Sequence, residues 1–290
     1  MTLRFSLITA TVDRTEDVFR LCESLQSQHH RDFELILVDQ NEDDRLLPIV
    51  GEFRKRMSIV HLRCARGLSR ARNIGLAAAA GRIVAFPDDD CVYQPDLLSN
   101  LARVFEDSPN LDGATCAALT ETGELHRRWP KQGSALTRFN LFRRSISYSI
   151  FLRTGGARVI VGFDVALGLG SGRTPWLGDE EHDFLIRGII RGFSFVYFPQ
   201  FGVIHPDRSP RSEATHLARK YGESMAIMWE MKKYQYPLWF AIYIVGLSVG
   251  GLCVSAMRGD VVRMRSYYAG LRGKIYGWRQ PIATRPAMGS

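Results

Sequence analysis

Apolar runs at positions 4–11, 33–39, 58–62 and 83–86 alternate, over the first 120 positions, with stretches whose apolar residues recur every three or four places. That pattern predicts βαβ units feeding a mostly parallel sheet, an α/β fold with flanking helices. The run from Glu34 to Asp39 is apolar until its last residue, as expected of a strand buried on both faces, so Asp39 falls where the chain reaches solvent. Asp13 and Glu16 have the spacing of a capping box ahead of Val18, Leu21, Cys22 and Leu25. An alanine-rich stretch at 68–80 predicts another helix, ended by Gly81. The fourth run leads straight into Pro87-Asp-Asp-Asp90. Right-handed crossovers bring such strand ends to one edge, where open α/β sheets bind ligands.

Positions 120–165 are less regular, rich in arginine and aromatics, and read as an insertion facing an acceptor. A helix is expected at about 180–191 and a strand from 194 to 199. Positions 237–257 carry no charge, enough at about 1.5 Å per helical residue to cross about 30 Å of hydrocarbon. Val261, Met264, Tyr268, Leu271, Ile275 and Trp278 then follow at helical steps, with Arg263, Arg265, Arg272, Lys274 and Arg279 between them. This is the pattern of a basic amphipathic helix at a membrane surface. Lys232 and Lys233 before the apolar run and Arg258 after it give no preferred orientation, so a surface-lying or re-entrant pair fits as well as a span. Gly246 and Gly250 have a spacing that permits close helix packing. The expected organisation is a catalytic domain at 1–232, with halves 1–120 and 121–232, membrane-associated helices at 233–280, and a tail at 281–290.

Composition narrows the partners. The formal net charge of +8 suits polyanions: nucleic acid, phosphorylated sugars or anionic headgroups. The five cysteines are scattered, with no zinc or redox spacing, which points to a reducing compartment. No basic, apolar, small-residue leader opens the chain, so secretion is not expected.

Three consecutive carboxylates repel one another unless a cation relieves them, and Mg2+ or Mn2+ is bound through one or two carboxylates plus substrate phosphates. Glu180, Glu181 and Asp183 crowd the start of a helix, either as simple dipole preference or with one of them as a general base. His205 becomes a candidate ligand beside a carboxylate-bound metal. Gly67, Ser69, Arg70 and Arg72 could serve a diphosphate at a helix N-terminus, or form a solvated basic face.

Taken in order, Ser6-Leu-Ile-Thr-Ala-Thr11, Val38-Asp39, Ala71-Arg-Asn-Ile-Gly75, Asp88-Asp-Asp90, Glu180-Glu-His-Asp183 and His205 resemble glycosyltransferase family two, enzymes of GT-A fold. The resemblance implies a donor nucleotide site of Thr9, Asp39, Arg72, Asn73, Asp88 and Asp89. It also implies Mn2+ or Mg2+ on Asp90, His205 and Asp88, and a catalytic base in Glu181 or its neighbour Glu180. Trp176 and Asp183 would face the acceptor. The tail is similar to family members building bacterial surface polysaccharides or glycolipids. That implies an inverting transferase at the cytoplasmic face of the inner membrane. It would use a nucleoside-diphosphate sugar of UDP type and a lipid-linked or saccharide acceptor, with no nucleic acid. The alternatives are a sugar nucleotidyltransferase and a non-catalytic basic membrane-associated binding protein.

Overall fold

The computed structural model describes residues 4–126, 129–170, 178–206 and 212–282. They fall into two compact units, Met1–Ala166 with Glu180–Asp207, and Leu167–Asp179 with Arg208–Ser290. The division lies near 207 rather than at the expected 232, because a helix at Glu213–Lys233 packs along the last helix of the chain.

In the first unit β1 (Phe5–Thr11), β2 (Phe33–Asp39), β3 (Ser58–Arg63) and β4 (Ile83–Ala85) form where the apolar runs predict them. They are joined by α1 (Glu16–Gln26), α2 (Leu47–Phe53) and α3 (Leu68–Ala78). Then come β5 (Val92–Tyr93), α4 (Leu97–Asp107), β6 (Gly113–Leu119), β7 (Ser134–Ala135), β8 (Ile150–Arg153), α5 (Thr154–Val159), α6 (Glu180–Ile190) and β9 (Phe195–Ile204). The sheet runs β3-β2-β1-β4-β8-β6-β9-β5, with β7 beside β9. β1 to β4 pair in parallel, as do β6 and β9, whereas β8 lies antiparallel between β4 and β6. The sheet is mixed: β8 is reversed at its centre, and the two-residue β5 and β7 run antiparallel to β9.

β8 corrects the reading of 120–165 as an insertion. Ile150, Phe151 and Leu152 are fully buried core residues. Four residues are too few to show a period, which is why the sequence hid them.

Alternation sorts β1 between two layers. Leu7 shares a core with Val18, Leu21 and Leu25 of α1, and each such burial contributes roughly 1.5–3 kcal/mol. Ile8, on the opposite face, meets α3 so closely that a Cβ on Gly75 would lie 2.3 Å from its Cγ2. Two local expectations fail. Asp13 does not cap α1: it takes φ 59°, and its N–H donates to Asn41 Oδ1 at 2.7 Å. Gly81 is no helix terminator either, since α3 ends at Ala78 with extended Ala79; a Cβ on Gly81 would stand 2.7 Å from the Phe5 carbonyl carbon. The strand expected at 194–199 continues to Ile204 through an irregularity at Pro199, which has no N–H to give the ladder.

The second unit holds α7 (Glu213–Lys233), α8 (Leu238–Met257) and α9 (Val261–Arg279). Ser212 caps α7 and Asp260 caps α9. Gly246 and Gly250 lie against no other described residue of the chain. The glycines that permit close approach are on α9: a Cβ on Gly273 or Gly277 would lie 2.2 Å from the carbonyl oxygens of Tyr221 and Met225.

Candidate active site

The parallel strands deliver Thr11, Asp39, the Asp88–Asp90 loop and His205 to one edge. The antiparallel β8 begins at that same edge, and so adds Ser147 and Tyr148 just before it. These residues form a continuous polar network. Thr11 Oγ1 donates to Asp89 Oδ2 at 2.7 Å. Arg14 Nη1 reaches Asp89 Oδ1 at 2.6 Å and Asp90 Oδ2 at 2.8 Å. His205 Nε2 lies 3.1 Å from Asp90 Oδ1, and its ring stacks on Tyr148 at 4.6 Å. Asp88 Oδ1 accepts from Ser147 Oγ at 3.4 Å and from Arg72 Nη2 at 3.0 Å. Arg72 Nη1 in turn holds Glu180 Oε1 at 2.5 Å.

Charge explains the arrangement. Burial pushes Asp89 up to about 6 despite Arg14 and Thr11. Burial also opposes ionisation of Asp90, but the hydrogen bond and charge of His205, aided by Arg14, outweigh it and bring Asp90 down to about 2. The same pairing with Asp90 raises His205 against its own burial. Arg72 is fully buried, yet Glu180, Asp88 and Glu181 more than offset its desolvation. The repulsion among the three aspartates is therefore relieved by Arg14, Arg72 and His205, and repulsion alone does not call for a divalent ion.

A metal nevertheless suits the donor set. Carboxylates at Asp88 and Asp90 and the imidazole of His205 match the oxygen and nitrogen preferences of Mg2+ and Mn2+. Among the described residues no three His, Cys, Asp or Glu groups cluster tightly enough to hold an ion alone. The remaining ligands would be phosphate or water, the usual mode for these ions.

Other expected site residues land differently. Asp39 is fully buried at the end of β2, its Oδ1 accepting from Asn41 N–H and Nδ2 and its Oδ2 3.0 Å from His61 Nε2. Thr9 is buried within β1, two residues short of the edge, and its hydroxyl has no hydrogen-bond partner; Thr11 is the strand residue that reaches the network. Asn73 is spent on backbone, its amide donating to Phe163 O at 2.8 Å and accepting from Phe163 N–H at 2.7 Å. Asp183, expected on the acceptor side, is fully buried and paired with Arg187 at 2.8 Å. Trp176 lies outside the described residues. Of the acidic pair, Glu180 is buried on Arg72 and Glu181 is the more exposed. Thr11, Arg14, Asn41, His61, Ser147 and Tyr148 were not foreseen. Arg14, three residues beyond β1, was within reach of a strand-edge argument; Ser147 and Tyr148 were not, because they depend on β8.

Comparison with known proteins places this architecture. An uncharacterized glycosyltransferase of Haemophilus influenzae is 24% identical over 187 residues, 63% of this chain and 60% of that protein, so the chain spans about three fifths of that relative's length. The structure of S. aureus TarS 1-349 in complex with UDP-GlcNAc superposes with a TM-score of 0.61 at 14% identity, covering 93% of this chain and 92% of the other. A Pyrobaculum calidifontis mannosyltransferase in complex with GDP-Man and Mn2+ gives 0.66 at 13% identity, covering 95% and 88%. These likenesses establish a GT-A-like fold. The model of glycosyl transferase family 2 matches residues 6–161, more than half of the sequence, and the chain belongs to that family.

Proposed function

We propose that this chain is an inverting, metal-dependent glycosyltransferase. It would move a sugar from a nucleoside-diphosphate sugar to a hydroxyl or phosphate acceptor in cell-surface glycan or glycolipid synthesis. The observation that carries the reading is the Asp88–Arg72–Glu180 chain, which joins the candidate donor-site carboxylates to the candidate base pair through one buried guanidinium. UDP-GlcNAc in TarS and GDP-Man with Mn2+ in the mannosyltransferase support a nucleotide-sugar donor and a divalent ion.

Asp39 ends its strand as an acceptor suited to a ring N–H of a nucleobase such as uracil, with Asn41 and His61 fixing its orientation. Asp90 and His205, with Asp88, would hold Mn2+ or Mg2+, which when bound neutralises charge growing on the leaving diphosphate. Glu181 takes the proton from the acceptor hydroxyl. That oxygen then bonds to the anomeric carbon as the bond to the diphosphate breaks and its electron pair leaves with the nucleotide, inverting the centre. Arg72 holds Glu180 and Asp88 in place. The apolar α8 and basic α9 support work at the cytoplasmic face of the inner membrane, with a lipid-linked or saccharide acceptor.

Calorimetric titration with nucleoside diphosphates and their sugar conjugates, with Mn2+ and with chelator, tests this reading. Binding of one nucleotide that needs both Mn2+ and Asp90, lost in Asp90→Ala, is the expected result. Failure of every nucleotide under every metal condition overturns it.

A further inference from the structure

α8 is 20 residues long, uncharged and apolar enough to cross a membrane by length and composition. Its packing says otherwise. Gly251 of α8 abuts the Tyr267 ring, and Ser248, midway along α8, accepts a hydrogen bond from Lys274 Nζ of α9. α9 therefore runs beside α8 along much of its length. α9 is in turn seated on α7 through Gly270, Gly273 and Gly277, and Arg265 of α9 pairs with Glu213 of α7 at 3.0 Å. If α8 crossed a bilayer in this arrangement, Arg265, Arg272 and Lys274 would enter the hydrocarbon with it. Each would cost at least about 2.5–3.5 kcal/mol near the centre.

The exposed surfaces show what the unit suits instead. Only a narrow seven-residue stripe of α8, Ala241, Ser248 and Ser255, is buried along with Phe240. Leu238, Trp239, Ile242, Tyr243, Leu247 and Met257 are exposed. α9 buries its glycines and exposes Val261, Tyr268 and Ile275, again seven apart, so the apolar face expected from sequence is not the face that packs. α9 also carries Arg263, Arg265, Arg272, Lys274 and Arg279 and no acidic residue. Apolar and aromatic side chains beside an excess of cations match the headgroup region of an anionic bilayer.

We propose that α8 and α9 form a monotopic anchor lying in one leaflet of an anionic membrane, with both ends of α8 on the same side. The proposal rests on the membrane aspect of the function above and is independent of its chemistry. The full chain, carrying Cys64→Ser and Cys253→Ser and either Trp239→Cys or Met257→Cys, is bound to sealed vesicles and treated from outside with a membrane-impermeant maleimide. Both positions are exposed in the structure. Comparable labelling at both, with binding to phosphatidylglycerol-containing vesicles that exceeds binding to pure phosphatidylcholine, is the expected result. Arg265→Glu with Arg272→Glu should lower binding to the anionic vesicles by at least roughly tenfold. Labelling at one end, with the other protected until detergent is added, overturns the monotopic arrangement alone. Absence of vesicle binding with a dimer in light scattering assigns the surface to a second copy and overturns the membrane reading, while nucleotide titration still reports the donor site separately.

Discussion

Arg72 Nη1 lies 2.5 Å from Glu180 Oε1 while its Nη2 lies 3.0 Å from Asp88 Oδ1, so one buried guanidinium on α3 ties the start of α6 to the loop after β4. Glu180 cannot easily serve as a mobile base while it supplies this charge. Arg72→Met leaves two carboxylates facing each other without their cation, and should destabilise the protein by about 3–5 kcal/mol. Denaturant unfolding measures it. Glu180→Gln keeps an acceptor for Arg72 and should cost less.

Glu181, next in the chain and more exposed, carries the opposite expectation. Glu181→Gln should lower turnover by about 10²–10⁴-fold while the calorimetric affinity for nucleotide stays within a few-fold of the parent. A larger loss of rate in Glu180→Gln than in Glu181→Gln would reverse the two assignments.

Asn73 belongs to the packing of the fold. Its two bonds to Phe163 hold a segment where Val161 and Gly162 take φ 67° and 66°. Asn73→Ala should therefore reduce stability by about 2–4 kcal/mol, two backbone groups losing their partner. Nucleotide affinity, read below the unfolding transition, should hold.

Two glycines of the helical unit should respond in opposite directions. Gly273→Ala places a Cβ 2.2 Å from the Tyr221 carbonyl oxygen, and should separate α9 from α7, seen as accelerated proteolysis of the C-terminal region. Gly246→Ala meets nothing within 4 Å and should raise helix stability by up to about 1 kcal/mol.

The cysteines differ in accessibility. Cys253 is exposed, whereas Cys22, Cys91 and Cys116 are buried, and burial pushes the Cys22 thiol up to about 12. Alkylation of the native chain, followed by mass spectrometry, should modify Cys253 first and Cys64 more slowly.

The sequence by itself determined the strands from Phe5 to Ala85, the edge carrying Asp39 and Asp88–Asp90, the helix of Glu180 and Glu181, and the apolar and basic helices of the tail. These features are local: a period of two or 3.6 is written in adjacent residues, and a strand that ends in carboxylates announces its own edge. Tertiary structure decided what depends on residues far apart. β8 enters the sheet centre only because β4 and β6 flank it, and that entry is what sets Tyr148 on His205 and Ser147 on Asp88. The counter-ions of the aspartates come from 16 and 75 positions away, at Arg72 and Arg14, and no spacing rule links them. The tail shows the same limit. Composition allowed α8 to be a span, but whether three cations travel beside it was fixed by the glycine faces that seat α9 on α7, and glycine leaves no hydrophobic period to read.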